Sequence, residues 1–468
     1  MAMAVEEGEQ DHKFCNEYFV MNPKDGGFWD LFGLLFSCNV EQNKYVDCTE
    51  GLKVMGLRRR WILVISILAQ KILLFFATPL AWIGLVFETL LNLVLDDSNL
   101  ATLLLNLLRG KLVLPDKTSA AYRSSIGNID TRLELDETIK PGDSRYCGAL
   151  SAMAAKLSYE TEITGRWSFS ISMIFGMAFM FQDKMEDPEL IVVAFRGTEP
   201  FDADAWITDV EISWYDFESL GKVHGGFMKA LGLQKGKGWP KEIEQKENDK
   251  RLYAYYTVRE KLREILKKNE KAKVIVTGHS LGGALATLFP AVLALHKEDW
   301  ILKRFEGVYT FGQPRVGDEK LGEHMTKQFK DHDVKYFRYV YCNDMVPRLP
   351  YDDKTLLFKH FGTCIYFNSF YQGQVVVEEP NKNYFSLVRT VPMMLNANWE
   401  MLRSFIIGYM KGPCYCEGWF LRLFRAVGLL VPGLSAHGPQ DYVNASRLGF
   451  TLLPLQLPDP TPEGPKIN

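Results

Sequence analysis

The sequence predicts an α/β protein, a mostly parallel sheet with helices on its faces, carrying an apolar helical hairpin near its N-terminus. Three observations lead there. Between residues 141 and 341, short apolar or β-branched runs alternate with segments of helical spacing. Upstream, residues 61–95 form one apolar block in which only Lys71 and Glu88 are charged. Finally, 47% of the 468 residues are hydrophobic and 24% are charged, globular proportions that exclude wholesale disorder and collagen-like classes.

The elements follow in chain order. Residues 1–50 form a polar N-terminal region, opening on Glu6, Glu7, Glu9 and Asp11 and lacking the basic start and apolar run of a secretory signal. Within it, 28–36 (FWDLFGLLF) is an aromatic patch suited to an interface or to a packed strand or turn. Residues 51–116 form an apolar anchor and its linker. Arg58, Arg59 and Arg60 introduce the block 61–95. As one helix this block would run roughly 50 Å, well beyond a ~30 Å hydrocarbon core. Pro79 near its middle predicts a break, with arms 61–78 and 80–95 turning around it. The expectation is a hairpin seated in a lipid surface. A single span would bury Lys71 or Glu88, and a core helix would carry one apolar stripe, whereas this block is apolar all round.

The main domain covers 141–455. Residues 147–159 have helical Ala/Leu spacing, and 175–181 and 190–195 read as strands. A Lys/Glu/Gly-rich insertion occupies 234–251. Beyond it come helix 252–268, strand 274–277, helix 281–296, strand 307–311, helix 320–330 and strand 334–341. An insertion at about 370–434, rich in Met, Trp, Phe and Leu from 391 on, is either a lipid-facing flap or ordinary helical packing. Residues 456–468 form a Pro-rich tail.

The chemistry centres on VTGHSLGGALA (276–286). A β-branched strand ends at Thr277 and a small-residue helix begins at Leu281, so the turn between them lifts Ser280 above the sheet edge. The helix N-terminus there favours a developing oxyanion. Serine needs a base. Of eight histidines, His437, in the loop SAHGP, is the first choice and His360 the alternative. His279 adjoins Ser280, but adjacent side chains diverge on such a turn. His224 precedes the nucleophile, against the expected order of serine, acid, histidine. The acid should follow a strand end: Asp344 is the first choice, with Asp318 the alternative. The amides of Leu281 and Thr198 are the expected oxyanion donors.

Six ordered motifs, AFRGT (194–198), VHGGF (223–227), VTGHSLGGALA (276–286), TFGQPRVGD (310–318), CNDMVP (342–347) and the late His437 with Tyr442, resemble the class 3 triacylglycerol lipases. The apolar N-terminal block and the HGPQDYVN ending are similar to the plant oil-body lipases of that class. The resemblance implies an α/β-hydrolase fold and acylglycerol hydrolysis at a lipid–water interface. It implies Ser280 as nucleophile, Asp344 as acid, His437 as base, and Thr198 and Leu281 at the oxyanion hole. It also implies a lid in 199–216, with Phe201, Trp206, Ile207 and Trp214 on its apolar face. The 93 positions from Asp344 to His437 depart from the compact fungal pattern.

Lys+Arg 54 against Asp+Glu 57, a net charge of -3, excludes a bulk cationic field for nucleic acid. The expected partner is a lipid surface, and no metal or cofactor is expected. Eight scattered cysteines without a signal peptide point to reduced thiols and a cytosol-facing domain on a lipid droplet or an endoplasmic reticulum-derived membrane. Asn444-Ala-Ser446 is a glycosylation sequon that matters only in a lumenal domain. The same motifs leave open a phospholipase or galactolipase, or a non-catalytic lipase-like scaffold.

Overall fold

Long apolar runs become central strands, because a parallel strand covered on both faces has no polar side. In the computed structural model the described residues are 14–449, apart from 38–39, 51–55, 97–101, 103–104, 107, 112, 117–118, 120–121, 161–169, 175–176, 184–187, 245–252, 353–357 and 385. The acidic start and the Pro-rich tail lie outside them. In chain order, β1 (Cys15–Met21), α1 (Phe28–Phe36), β2 (Val46–Cys48) and α2 (Leu57–Asp96) precede α3 (Tyr146–Leu157). Then come β3 (Ser170–Ile174), β4 (Ala178–Gln182), β5 (Leu190–Phe195), α4 (Ala203–Val210), β6 (Trp214–Phe217), β7 (Gly221–His224) and α5 (Ala254–Lys268). The chain continues through β8 (Lys273–His279), α6 (Leu281–Leu295), β9 (Phe305–Phe311), α7 (Glu319–Asp331) and β10 (Lys335–Tyr341). It closes with β11 (Thr363–Phe367), β12 (Gly373–Val376), α8 (Leu387–Lys411), α9 (Trp419–Leu430) and α10 (Pro439–Leu448).

The main sheet has eight strands in the order β12-β11-β10-β9-β8-β5-β4-β3. Strands β5, β8, β9, β10 and β11 are parallel, while β4 runs against β5, β3 against β4, and β12 against β11. Period-2 alternation sorts the side chains into two layers. Ile191, Val193, Phe195, Val274 and Val276 pack under helices α5, α6 and α7. Val192, Ala194, Ile275, Tyr309 and Phe311 face α3 and α10.

A second sheet, of order β2-β1-β6-β7, joins the polar N-terminal region to the main body. Strand β1 pairs antiparallel with β6, Phe19 opposite Trp214. Trp214 is therefore buried against Phe19, ring centroids 6.3 Å apart, and is not part of an apolar lid face.

The expected hairpin around Pro79 does not form. Residues 57–96 make one continuous helix, α2, with Pro79 inside it, about 60 Å long at ~1.5 Å per residue. Proline removes one donor and crowds the preceding turn, a cost of roughly 3 kcal/mol. Contacts on both arms outweigh it. On the first arm Ser66 Oγ donates to the Val210 carbonyl at 2.6 Å, and Leu63, Val64 and Ile67 are buried. On the second, Glu88 accepts from the amide and hydroxyl of Ser125 at 2.8 and 2.9 Å, and Asn92 exchanges two hydrogen bonds with the backbone of Arg123. A turn at Pro79 would forfeit one set. The opposite face, Trp61, Ile65, Leu68, Ile72, Phe75 and Trp82, is exposed and apolar. The block is apolar all round because one side meets the protein and the other does not. By length and composition α2 is long enough to cross a membrane.

Asn444 is buried. Its Oδ1 accepts from Arg132 Nη1 at 2.7 Å and its Nδ2 donates to Tyr371 Oη at 3.0 Å. A glycan has no room there in the folded chain.

Candidate active site

Strand β8 ends at His279 and α6 begins at Leu281, which leaves Ser280 alone to make the turn. It does so at φ 57° and ψ -130°, a strained conformation for a residue with a Cβ. Strand and helix approach so closely that a Cβ on Gly278 would lie 2.1 Å from the Gly282 carbonyl oxygen. One on Gly282 would lie 2.2 Å from the Phe195 oxygen. Only glycine fits at either place. Ser280 is 4% exposed, so this conformation shields it from bulk water.

His437 ends a short turn of 3-10 helix, Ser435–His437, just before α10. Its Nδ1–H donates to Asp344 at 2.8 Å (Oδ2) and 3.0 Å (Oδ1). A carboxylate can only accept, so the proton sits on Nδ1. Nε2 is then free to accept from the Ser280 hydroxyl, 2.8 Å away. Asp344 is fully buried beyond the end of β10. It also accepts from the Val346 amide at 2.9 Å and from the Tyr442 hydroxyl. The unbroken chain is Asp344–His437–Ser280, with geometry suited to pulling the serine proton.

The alternatives lie elsewhere. Asp318 caps α7 through the Leu321 amide. His360 hydrogen bonds the Pro347 carbonyl at 2.6 Å, and burial and the nearby arginines Arg338 and Arg315 push its pKa well down. His224 stacks on Phe227, and burial lowers its pKa to about 3.

His279 has a role that the spacing does not reveal. Its Nε2 is 2.8 Å from the His437 carbonyl oxygen. A carbonyl accepts, so Nε2 carries the proton and Nδ1 must accept, from the Tyr159 hydroxyl at 2.8 Å. Burial favours this neutral form by lowering the pKa of His279 well below its ordinary value. Tyr159 and His279 thus hold the backbone of His437. Tyr442 enters the sequence reading only as a companion of His437, five residues beyond it in the same loop and helix; its bond to Asp344 is a second role that the spacing does not reveal. Gly312 is the third such residue: a Cβ there would lie 2.8 Å from Asp344 Oδ2 and 3.0 Å from His437 Nδ1.

Thr198 follows β5 and is buried; its hydroxyl donates to Asp209 Oδ2 at 2.8 Å. Asp209 belongs to α4. Burial raises its pKa to about 7, against the lowering effects of Thr198 and His437. Leu281 is the first residue of α6, so its amide has no intrahelical acceptor. Among the described residues neither the Thr198 nor the Leu281 amide joins a backbone hydrogen bond outside helices and strands. Phe201, Trp206 and Ile207 are half-buried on or just before α4. Phe201 leans on Gly84 of α2 and meets the Phe87 ring at 5.6 Å.

A mostly parallel sheet with a serine on a strand–helix turn, backed by histidine and aspartate, defines a serine hydrolase of the α/β-hydrolase fold. The family model for class 3 lipases matches residues 192–354. The chain is 41% identical to triacylglycerol lipase OBL1 of Nicotiana tabacum, over 93% of this chain and 95% of that protein. It is 38% identical to triacylglycerol lipase OBL1 of Arabidopsis thaliana, over the same shares. Among solved structures it is similar to lipase II from Rhizopus niveus, at 21% identity and a TM-score of 0.37, covering 49% of this chain and 82% of that one. The chain belongs to the class 3 lipase family.

Proposed function

We propose that this protein hydrolyses the ester bonds of triacylglycerol, and of the di- and monoacylglycerol that follow from it, while attached to a lipid droplet or an endoplasmic reticulum-derived membrane with its main domain in the cytosol. The observation that carries the reading is the Asp344–His437–Ser280 chain, in which each hydrogen bond has its donor and acceptor in the order the reaction needs. Its two relatives named above, triacylglycerol lipases by name, give the substrate class.

Ser280 attacks the ester carbonyl as His437 Nε2 takes its proton, and Asp344 stabilises the imidazolium. The amides of Thr198 and Leu281 hold the oxyanion. His437 then protonates the departing glycerol oxygen, leaving an acyl-serine. A water molecule, deprotonated by His437, attacks that ester and releases the fatty acid. Helix α4 with Phe201, Trp206 and Ile207 acts as the lid, and the outward stripe of α2 lies in the lipid surface. The shielded serine and the one-sided exposure of α2 support these two assignments.

The test is a hydrolysis panel of triolein, diolein, phosphatidylcholine and galactolipid with wild type and Ser280→Ala. Fatty acid release from the acylglycerols that vanishes in Ser280→Ala supports the reading. Release from phosphatidylcholine or galactolipid alone makes it a phospholipase or galactolipase, and no release from any of them sinks the enzyme reading.

A further inference from the structure

Helices of water-soluble proteins hide apolar side chains and expose charged ones. Helices α8 and α9 depart from this. Beside the buried Met393, Ala397, Ile407 and Leu421, their inward faces carry Glu400, Arg403 and Arg425, all buried, together with Glu417 from the connection between them. These charges meet Asp441 of α10: Arg403 Nη2 and Arg425 Nη2 lie 2.8 and 3.0 Å from its Oδ1, and Arg425 Nη2 lies 2.6 Å from Glu417 Oε1. Burial alone would raise the pKa of Asp441, but Arg425 and Arg403 hold it below its ordinary value.

The outward faces are apolar. On α8, Val388, Val391, Leu395, Leu402, Phe405 and Tyr409 recur at three, four and seven positions, one stripe of a helix, and all are exposed, Leu395 by 66% and Tyr409 by 93%. On α9 the exposed stripe is Trp419, Leu423, Val427 and Leu430.

From this inside-out pattern we infer that α8 and α9 form a second lipid contact, which rests its apolar stripes on a phospholipid-covered surface beside α2. The inference rests on the lipid-surface reading of α2 and adds to it a separate contact. Three features select this occupant. Helix α9 adjoins α2, and α2 adjoins the lid: Phe87 of α2 meets Phe420 of α9 at 5.3 Å and Phe201 beside α4 at 5.6 Å. Helix α9 leads within a few residues to His437, so the contact borders the reaction site. The charge also fits phosphate. Between 387 and 430 the only acidic residues, Glu400 and Glu417, are buried, while Arg389 and Lys411 at the two ends of α8 are exposed. A partner protein surface would not require the stripe to be free of negative charge, whereas a phospholipid surface does.

The full chain is mixed with triolein droplets coated with phosphatidylcholine and phosphatidylserine, and the droplet-bound fraction is measured by flotation. Three proteins are compared: wild type, Leu395→Glu/Leu402→Glu/Leu430→Glu, and Ile72→Glu/Phe75→Glu on α2. All five positions are exposed, and circular dichroism with the unfolding midpoint checks each fold. The expected result is a partition coefficient for the α8–α9 variant at least ~10-fold below wild type, from three apolar side chains replaced by charges. If that variant floats like wild type while the α2 variant is lost, the second contact is overturned and the α2 reading stands. If both float like wild type, the lipid-surface reading itself fails, and the inference with it. If the α8–α9 substitutions turn a dimer into a monomer without changing flotation, the stripes are a contact between copies and the inference is overturned.

Discussion

Gly312 offers the sharpest test of the relay geometry, because alanine there adds a single methyl group at its centre. The residue follows β9 at φ 59°, a left-handed conformation. Alanine would pay about 1–2 kcal/mol to adopt it. The added carbon would stand 2.8 Å from Asp344 Oδ2 and 3.0 Å from both His437 Cε1 and Nδ1, where ordinary contact begins at 3.4 Å. The carboxylate must therefore retreat by 0.6 Å and the imidazole by 0.4 Å, or the turn must open. Neither has slack, since Asp344 also accepts from Val346 and Tyr442, and the His437 carbonyl is held by His279. Moving the ring by that amount lengthens or tilts its 2.8 Å contact with Ser280. Misplacement on the ångström scale costs up to about 100-fold in rate, so we expect kcat for dissolved p-nitrophenyl butyrate to fall roughly 10- to 100-fold with KM little changed. Steady-state kinetics beside a thermal melt separates this from unfolding. A folded Gly312→Ala protein with kcat within about twofold of wild type would refute the reasoning, because ~0.4 kcal/mol is too little for the displacement described.

Three further perturbations follow from the same contacts. Tyr442→Phe removes the hydroxyl that donates to Asp344 and accepts from the Tyr341 amide; chemical denaturation should show a loss of about 1.5–3 kcal/mol, and kcat should drop with KM unchanged, while an unchanged kcat would show that Asp344 needs no third donor. Burial raises the pKa of Asp209 to about 7 from its ordinary value of 3.8, so the stability it lends α4, the proposed lid, is complete below about pH 4 and is lost as pH rises through 7. Hydrogen exchange of α4, corrected for the intrinsic rate, should therefore quicken across that window and stay flat in Asp209→Asn; matching profiles would dissociate Asp209 from the lid. Phe201→Ala takes away packing on Gly84 and Phe87 worth about 1–2 kcal/mol for a half-buried ring, which should raise turnover of a dissolved ester relative to droplet triolein. An unaltered ratio would mean that α2 does not hold the lid shut.

The legible parts of this molecule are those fixed by short-range chemistry. Ser280 could be read because a β-branched strand, two close-packed glycines and a small-residue helix leave one strained position between them. Asp344 is the first choice from the strand it ends, with Asp318 the alternative, and elimination among eight histidines leaves His437 ahead of His360. The helix–strand alternation carried the central sheet. Contacts between distant segments left no local mark. Strand β1 pairs with β6 across about two hundred residues, which turned Trp214 from an expected lid residue into a core residue. Pro79 promised a bend, but Ser66, Glu88 and Asn92 hold both arms of α2 against the body. The apolar composition of 391–434 was visible; its inversion, with arginines inward and leucines outward, needed Asp441 in place to be seen.

The small four-stranded sheet changes what can be cut away. Strand β1 lies before α2 in the chain and lines β6, the strand into which α4 runs. A truncation meant to yield a soluble enzyme by deleting the N-terminal hundred residues would leave β6 paired with β7 alone, bare its other edge beside the proposed lid, and remove the wall on which Phe201 rests. The greasy N-terminus is thus no detachable leash. It is packed into the body through Phe201 and β6, and a better-behaved protein would come from recolouring the outer stripe of α2 with polar residues while keeping its inner face.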